Sequence, residues 1–571
     1  VSPRHVFDLY KLKNGNFPDW LMSAIISDLK LNQIKKYETN KGRANEFVES
    51  FILDIPWHDH QQEIQDLESI TKQDVVNFVK SRYSDNYVVI YKRTGEDKSA
   101  IKVTKPKITP VSVNRQDQSD FLVDLLSEKV ADINPVFLDF QNDIILDKVG
   151  DVELLYKQNN ENQRFQIKYI LDMGNDHNNK LGLAIDYLKF LGTDEMSPAN
   201  KQQEFYRLGC DLSVSCNAEK VEVVLSGLSD NFTESVELLE NVLANAVADE
   251  EALNDLKLNT LKSRSDAKLN KQTILFRAMS NYAKYGETSS FTNVLSEEEL
   301  DDVTSSDLLN IIHNLTNYQH RLSYYGPDRL SEVTSNLEKL HINKSNLQSV
   351  PSKSQFVEKD MMDPIVYILD YDMKQAEILM LTKGEKLNIE KYPIIKFHNE
   401  YFGAGMSSIV FQEMRESKAL AYSVYSAYRI PNKSEDHHYV MSYIGTQADK
   451  LDEAMSGMTE LLDFMPEAET NMNNAKDAII QKIRTERLTK MRILSEYEKA
   501  KKMGIDYDIR EDLFNKVGTF DMSSLISFHQ DHIANKTRVV LVLGSKEDID
   551  MNVLQTYGKI QHLTLTDVFG Y

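Results

Sequence analysis

The chain has 571 residues and a formal net charge of −22, with 66 Lys and Arg against 88 Asp and Glu. That length exceeds what one core usually organises, so two to four domains are expected. The acidic balance argues against a nucleic-acid surface, which needs clustered Lys and Arg against phosphates. No apolar run approaches the about 18 residues of a membrane span, and no charged, apolar and small-residue order typical of a signal peptide is found.

Near the start, WHDHQQE places His58, Asp59, His60 and Glu63 after Pro56. These could offer metal ligands, but the pattern reads better as a solvated helix entry. The next segment, from Thr71, has distant copies beginning at Thr304 and Asp521. Each pairs a capping residue and an amphipathic helix of about three turns with a polar turn, an apolar strand and a Gly-plus-charge ending. Spacings of roughly 220 to 230 residues make the repeating unit a whole domain rather than a solenoid turn. Lys102 to Asp117, with Pro106 and Pro110, and His341 to Pro364, with Pro351, read as extended connectors. The expected division is therefore 1–101, the back part of a preceding domain; 102–134, a linker; 135–340, a full domain; 341–363, a linker; and 364–571, a second full domain. A chain with so short a first part is expected to be the C-terminal portion of a longer protein.

Within the full units, FQIKYIL from Phe165, VEVVLSGL from Val221, PIVYILDY from Pro364 and YVMSYIGT from Tyr439 read as strands between long helical stretches, which predicts α+β layers. Cys210 and Cys216 fall on one predicted strand, roughly 20 Å apart at about 3.3 Å per residue, too far to bridge. His437 and His438 open a strand and point to opposite faces. His529 and His532 lie one turn apart on the third repeat's helix; without a visible third ligand they read as surface or partly buried structural histidines. There is no G-x-S-x-G elbow, no P-loop and no base beside either cysteine.

The most informative segment is YFGAGMSSIVFQEMRESKALAYSVYSAY, Tyr401 to Tyr428. Gly403 and Gly405 allow a tight turn or close backbone approach, Ser407 or Ser408 can cap a helix spaced by Ile409, Val410, Phe411 and Met414, and Ala421 to Tyr428 reads as a strand. Arg415 and Tyr422 then flank one turn and can face a common cleft. Equally, the glycines can merely shape a turn while Arg415 is solvated and Tyr422 packs with its hydroxyl at the surface. In its whole order the segment resembles the glycine-rich helix–strand region of the pitrilysin or insulinase family of zinc peptidases, where an arginine followed seven residues later by a tyrosine reaches the substrate.

The resemblance implies repeated domains, each a mainly antiparallel sheet covered by helices, forming half of a clamshell. It implies zinc bound through H-x-x-E-H, yet no histidine here begins that motif; in LAIDYLKFLGT, Leu183, Asp186 and Tyr187 stand at the two histidine positions and the glutamate. The expectation is thus a zinc-less C-terminal half with no metal or cofactor of its own and no peptidase activity alone. Its partners would be a zinc-bearing N-terminal half, on the same polypeptide or a separate subunit, and a peptide substrate held by Arg415 and Tyr422. The alternative is a non-enzymatic scaffold or peptide-binding subunit of the same fold. The compartment stays open between cell envelope and cytoplasm.

Overall fold

The computed structural model describes residues 9–84, 86–92, 95, 119–128, 131–341, 346–486 and 488–571. Most of the expected connector at 102–134 lies outside these residues; inside it, Asp120–Ser127 is a helix capped by Ser119. No helix is long and apolar enough to cross a membrane among the described residues.

Two six-stranded sheets organise the chain. The first comprises β1 (Ile145–Val149), β2 (Val152–Gln158), β3 (Arg164–Leu171), β4 (Cys210–Cys216), β5 (Val221–Leu228) and β6 (Arg321–Gly326), in the order β1-β2-β6-β3-β5-β4. The second comprises β7 (Ile365–Asp370), β8 (Gln375–Lys386), β9 (Ser423–Arg429), β10 (His437–Gln447), β11 (Val539–Gly544) and β12 (Lys559–Leu563), in the order β12-β7-β11-β8-β10-β9. Five strands correspond one to one, β2–β6 to β7–β11: β6 inserts between β2 and β3 and β11 between β7 and β8, each parallel to the first of its neighbours and antiparallel to the second. The fold is α+β with mainly antiparallel pairing, and the repeat seen in sequence is a repeat of topology.

The repeated helices form for local reasons. Thr71, Thr304 and Asp521 each accept a hydrogen bond from the backbone of the residue three on, and the side chains of Asp74, Asp307 and Ser524 accept one in turn from the cap's backbone N–H. Such a box satisfies two donors that a helix start leaves unpaired. The strands β6 and β11 follow the second and third helices, but Tyr87–Lys92 after the first is not a strand. Val88 and Ile90 are 89% and 90% exposed. The alternation in that stretch matches a strand, but a strand exists only with a neighbour to receive its backbone groups, and the described residues supply none.

Alternation along β8 sends Ala376, Ile378 and Met380 into one core and Leu379 and Leu381 into another, so the second sheet is covered on both faces. The first face packs on helices of its own unit, including Tyr392–Phe402 and Leu451–Asp463. On the second face lie Ile274, Leu275, Ala278 and Met279 of the π-helix Thr273–Met279, which belongs to the stretch between β5 and β6. The first unit therefore completes the core of the second. Fully burying Ile274, Leu275 or Met279 stabilises by roughly 1.5–3 kcal/mol each.

Several histidines lie deeper than the sequence suggests. His60 is buried and faces Glu46 at 3.3 Å, with Glu46 also paired to Lys36 at 2.8 Å. It is a buried hydrogen-bonding partner of Glu46 and not part of a solvated entry, whereas His58 is exposed. His529 is 1% exposed, its ring against His398. His437 and His438 do diverge, to Glu358 and to the Arg429 carbonyl.

Candidate functional site

The glycine-rich segment begins where the helix Tyr392–Phe402 ends against the edge strand β9. Asn399 binds the strand twice, its amide donating to Tyr428 O at 3.0 Å and its oxygen accepting from Tyr428 N at 2.8 Å. Gly403 O accepts from Ser426 N at 3.1 Å. A Cβ on Gly403 would lie 1.9 Å from Ser426 O, so only glycine permits this approach. Gly405 needs the same residue type for another reason, its φ of +93°.

The expected helix starts at Ile409 but changes character after one turn. Ile409–Phe411 is α-helical and Gln412–Ser417 is a π-helix, with Ile409, Val410 and Met414 buried. Ser408 occupies the cap position without capping through its side chain; its hydroxyl donates instead to Gly405 O at 2.8 Å and so braces the turn. Wide turns of this kind often occur at functional sites. Arg415 lies on the π-helix, exposed, its guanidinium 4.9 Å from the Phe411 ring centroid and 3.8 Å from Glu416. Ala419, with φ of +48°, then reverses the chain into β9.

Tyr422 precedes β9. Its N–H donates to Gly445 O at 3.0 Å and its ring lies over Gly445, where a Cβ would come within 2.8 Å of the phenol. The side chain is 44% exposed, yet its hydroxyl is not free at the surface: it donates to Glu377 Oε1 at 2.7 Å. Glu377, on β8 opposite Gly445, is 1% exposed. The Tyr443 hydroxyl donates to its other oxygen, and Lys271, just before the π-helix of the first unit, pairs with Oε1 at 2.5 Å. Burial raises the Tyr422 phenol above its usual pKa, and the Glu377 carboxylate raises it further. Tyr443 is raised by the same two causes, while its hydrogen bond to Glu377 raises Lys271. Arg415 and Tyr422 thus share one chain reversal, but no hydrogen bond joins them among the described residues.

Sequence reasoning missed Glu377, Lys271, Tyr443 and Asn399. The one signal available was an acidic residue inside the apolar run AEILML of β8, since a buried charge needs built partners. The cysteines are free and lie at the two ends of β4 as expected. Burial pushes Cys210 up to about 11 and Cys216 up to about 12, which leaves both as inert thiols near neutral pH.

A family model for the peptidase M16 inactive domain matches residues 323–477, a span that contains the whole glycine-rich segment. The chain is similar to the C-terminal half of the pitrilysin family of peptidases. Over 292 residues it is 25% identical to an uncharacterized zinc protease, YmxG, of Bacillus subtilis, a match covering 50% of this chain and 68% of that protein. The fold is similar to a peptidase M16 inactive domain from Pseudomonas fluorescens, with TM-score 0.57 and 16% identity over 71% of this chain and 98% of that one. It is also similar to the periplasmic protease PqqL from Escherichia coli, with TM-score 0.57 and 11% identity over 94% of this chain but 62% of that one.

The family's zinc does not fit the residues at the corresponding helix, Leu181–Leu188. Leu183 is packed in the first core, and Asp186 pairs with Lys189 at 2.6 Å. The Tyr187 hydroxyl donates to Asp249 O and accepts from Asp249 N, both at 2.8 Å. A leucine and a doubly bonded tyrosine offer no imidazole to a metal. Among the described residues, no group of three or more His, Cys, Asp or Glu could hold a metal ion.

Proposed function

We propose that this chain is the half of a zinc metalloendopeptidase that binds and encloses an extended peptide, while a zinc-bearing N-terminal half, on the same polypeptide or a separate subunit, hydrolyses it. In this reading 1–101 ends a preceding unit, 135–340 is a degenerate pitrilysin-like domain and 364–571 carries the substrate-facing segment. The observation that supports it is the chain reversal between the π-helix and β9, which presents Arg415 and the ring of Tyr422 with exposed surface on a segment braced by Gly403, Gly405 and Asn399. Arg415 would hold the peptide backbone through its fork of N–H donors. Tyr422 would donate to the scissile carbonyl as negative charge develops on its oxygen, a contact whose value lies mainly in the transition state.

The test is peptidase activity on a mixed peptide library with added zinc, comparing this chain alone with this chain plus the protein encoded immediately upstream. Activity in the mixture alone is expected. In that mixture, Tyr422→Phe should lose about 2.7–4 kcal/mol of transition-state stabilisation, roughly 10²–10³ in rate; a wild-type rate sinks the role.

A second reading, a peptide-binding scaffold without peptidase function, draws on the engagement of the Tyr422 hydroxyl by Glu377. Peptide binding without hydrolysis in either arm would decide for it.

A further inference from the structure

A phenol has one proton to donate. In this structure that of Tyr422 goes to Glu377, at 2.7 Å, and not toward the open side from which a peptide would come. We propose that Glu377 is a positioning residue that holds Tyr422 in a resting orientation, and that Lys271, supplied by the other unit, sets the strength of that hold. The proposal rests on the reading of Tyr422 as a donor to the substrate carbonyl and adds to it a means of regulation.

Three observations carry it. First, the acceptor is built: Glu377 is buried and meets Tyr422, Tyr443 and Lys271 together. When Tyr422 turns away, the carboxylate keeps Tyr443 and Lys271, so release breaks one hydrogen bond and strands no buried charge. Second, the resting position is shaped for the ring. Gly445 lies directly beneath it, and a single added carbon there would collide with the phenol. Third, the counter-charge comes from outside the unit. Lys271 stands two residues before Thr273–Met279, whose side chains line the second face of the β7–β12 sheet, and its ammonium is also 5.9 Å from the Tyr422 ring centroid. Any shift of that π-helix relative to the sheet moves the charge that balances Glu377.

Lys271 and Tyr422 compete for Oε1 of one carboxylate. Strengthening the ion pair draws negative charge away from the phenol and loosens it; removing the lysine leaves the carboxylate with two phenols and tightens their hold. Removing the two residues should therefore act in opposite directions, which a merely structural cluster would not do.

The experiment follows the Tyr422 ring by ¹³Cζ-tyrosine NMR in this chain, its resonance assigned by its loss in Tyr422→Phe, together with kcat and KM of the zinc-supplemented mixture described above. In Glu377→Gln, the Tyr422 titration midpoint should fall toward that of free tyrosine and kcat should rise about tenfold, the difference between a charged and a neutral acceptor. In Lys271→Met, the midpoint should rise and kcat should fall, with KM little changed. Opposite movements support the proposal. An unmoved midpoint in both variants overturns it, as does a parallel fall of kcat and melting temperature in both. If Glu377→Gln does not fold, Lys271→Met decides by the midpoint alone, since Lys271 is 40% exposed at its side chain. A wild-type rate in Tyr422→Phe refutes the substrate role instead, while the midpoint shifts still report the contact with Glu377.

Discussion

His398 and His529 face each other across 3.0 Å in the second core, His398 Nε2 against His529 Nδ1. The other nitrogen of His529 donates to Leu462 O at 2.8 Å, so its Nδ1 must accept and His398 must donate. His398 Nδ1 then points into the core without a hydrogen-bond partner. Burial drives both imidazoles below their usual pKa, His529 to about 4, and His398 is lowered also by the charges of His529 and His532. The unfolded chain takes up protons below pH about 6.5, while the folded chain resists until pH about 4, so stability is full above 6.5 and declines as pH falls through that window. For His529 alone the loss reaches about 3 kcal/mol. Melting temperatures from pH 7.5 to 4.5 should fall steeply for the wild type and less steeply for His529→Gln; identical slopes refute this account.

The first unit contains a second histidine pair, this one closed by a carboxylate. His320 Nδ1 donates to Tyr318 O at 2.7 Å, so its Nε2 accepts from His341 Nε2 at 2.8 Å. His341 Nδ1 meets Glu240 at 2.6 Å, and Tyr169 donates to the same oxygen at 2.6 Å. Glu240 thus gathers His341 and Tyr169 on one oxygen, with His341 wholly buried. Glu240→Ala leaves both without their acceptor and should cost about 3 kcal/mol of stability in urea denaturation. A change under about 0.5 kcal/mol would show that the pair contributes nothing.

The two glycines of the candidate site fail differently when replaced. Gly403→Ala drives a carbon into Ser426 O and must separate the loop from β9, so a large loss of melting temperature is expected. Gly405→Ala meets open space, with Glu400 Oε1 3.7 Å away, and costs only its backbone conformation, about 1–2 kcal/mol. Calorimetry of the two variants should show that order; equal losses would mean that the close approach at Gly403 relaxes without cost.

Arg415 separates activity from stability. It is half exposed and its contacts are one aromatic ring and a loose approach to Glu416, so Arg415→Ala should change stability by less than about 0.5 kcal/mol. If it holds substrate, the same variant raises KM in the zinc-supplemented mixture, and Arg415→Lys fails to restore it because an ammonium lacks the planar fork. Wild-type kinetics for Arg415→Ala would remove it from the site.

What could be read from the residues divides by range. The caps at Thr71, Thr304 and Asp521 reach only three residues along the chain, and the alternation in β3, β5, β7 and β10 is local, so these elements were legible. The glycines were legible as positions of special backbone, although the Ser426 carbonyl that explains Gly403 was not. Contacts between distant segments were not legible as pairs: Glu377 is 45 residues from Tyr422, and His398 is 131 from His529. The strand expected at Tyr87 shows the same limit from the other side, because pattern supplies a strand's faces but not its neighbour. The π-helix at Gln412 has no pattern of its own, since its winding is set by where Met414 must pack and where Ala419 must turn.

The placement of β11 has a consequence for synthesis of the chain. It lies between β7 and β8, yet Val539 follows Gln375 by more than one hundred and fifty residues, and β6 bears the same relation to β2 and β3. Each sheet therefore remains open at its middle while its unit is being translated, with β7 and β8 unable to meet except through a strand not yet made. Neither unit can close as its early strands leave the ribosome. Such late, non-local pairing is slow and leaves strand edges uncovered during translation, which makes the nascent chain a natural client for chaperones that shield apolar edges.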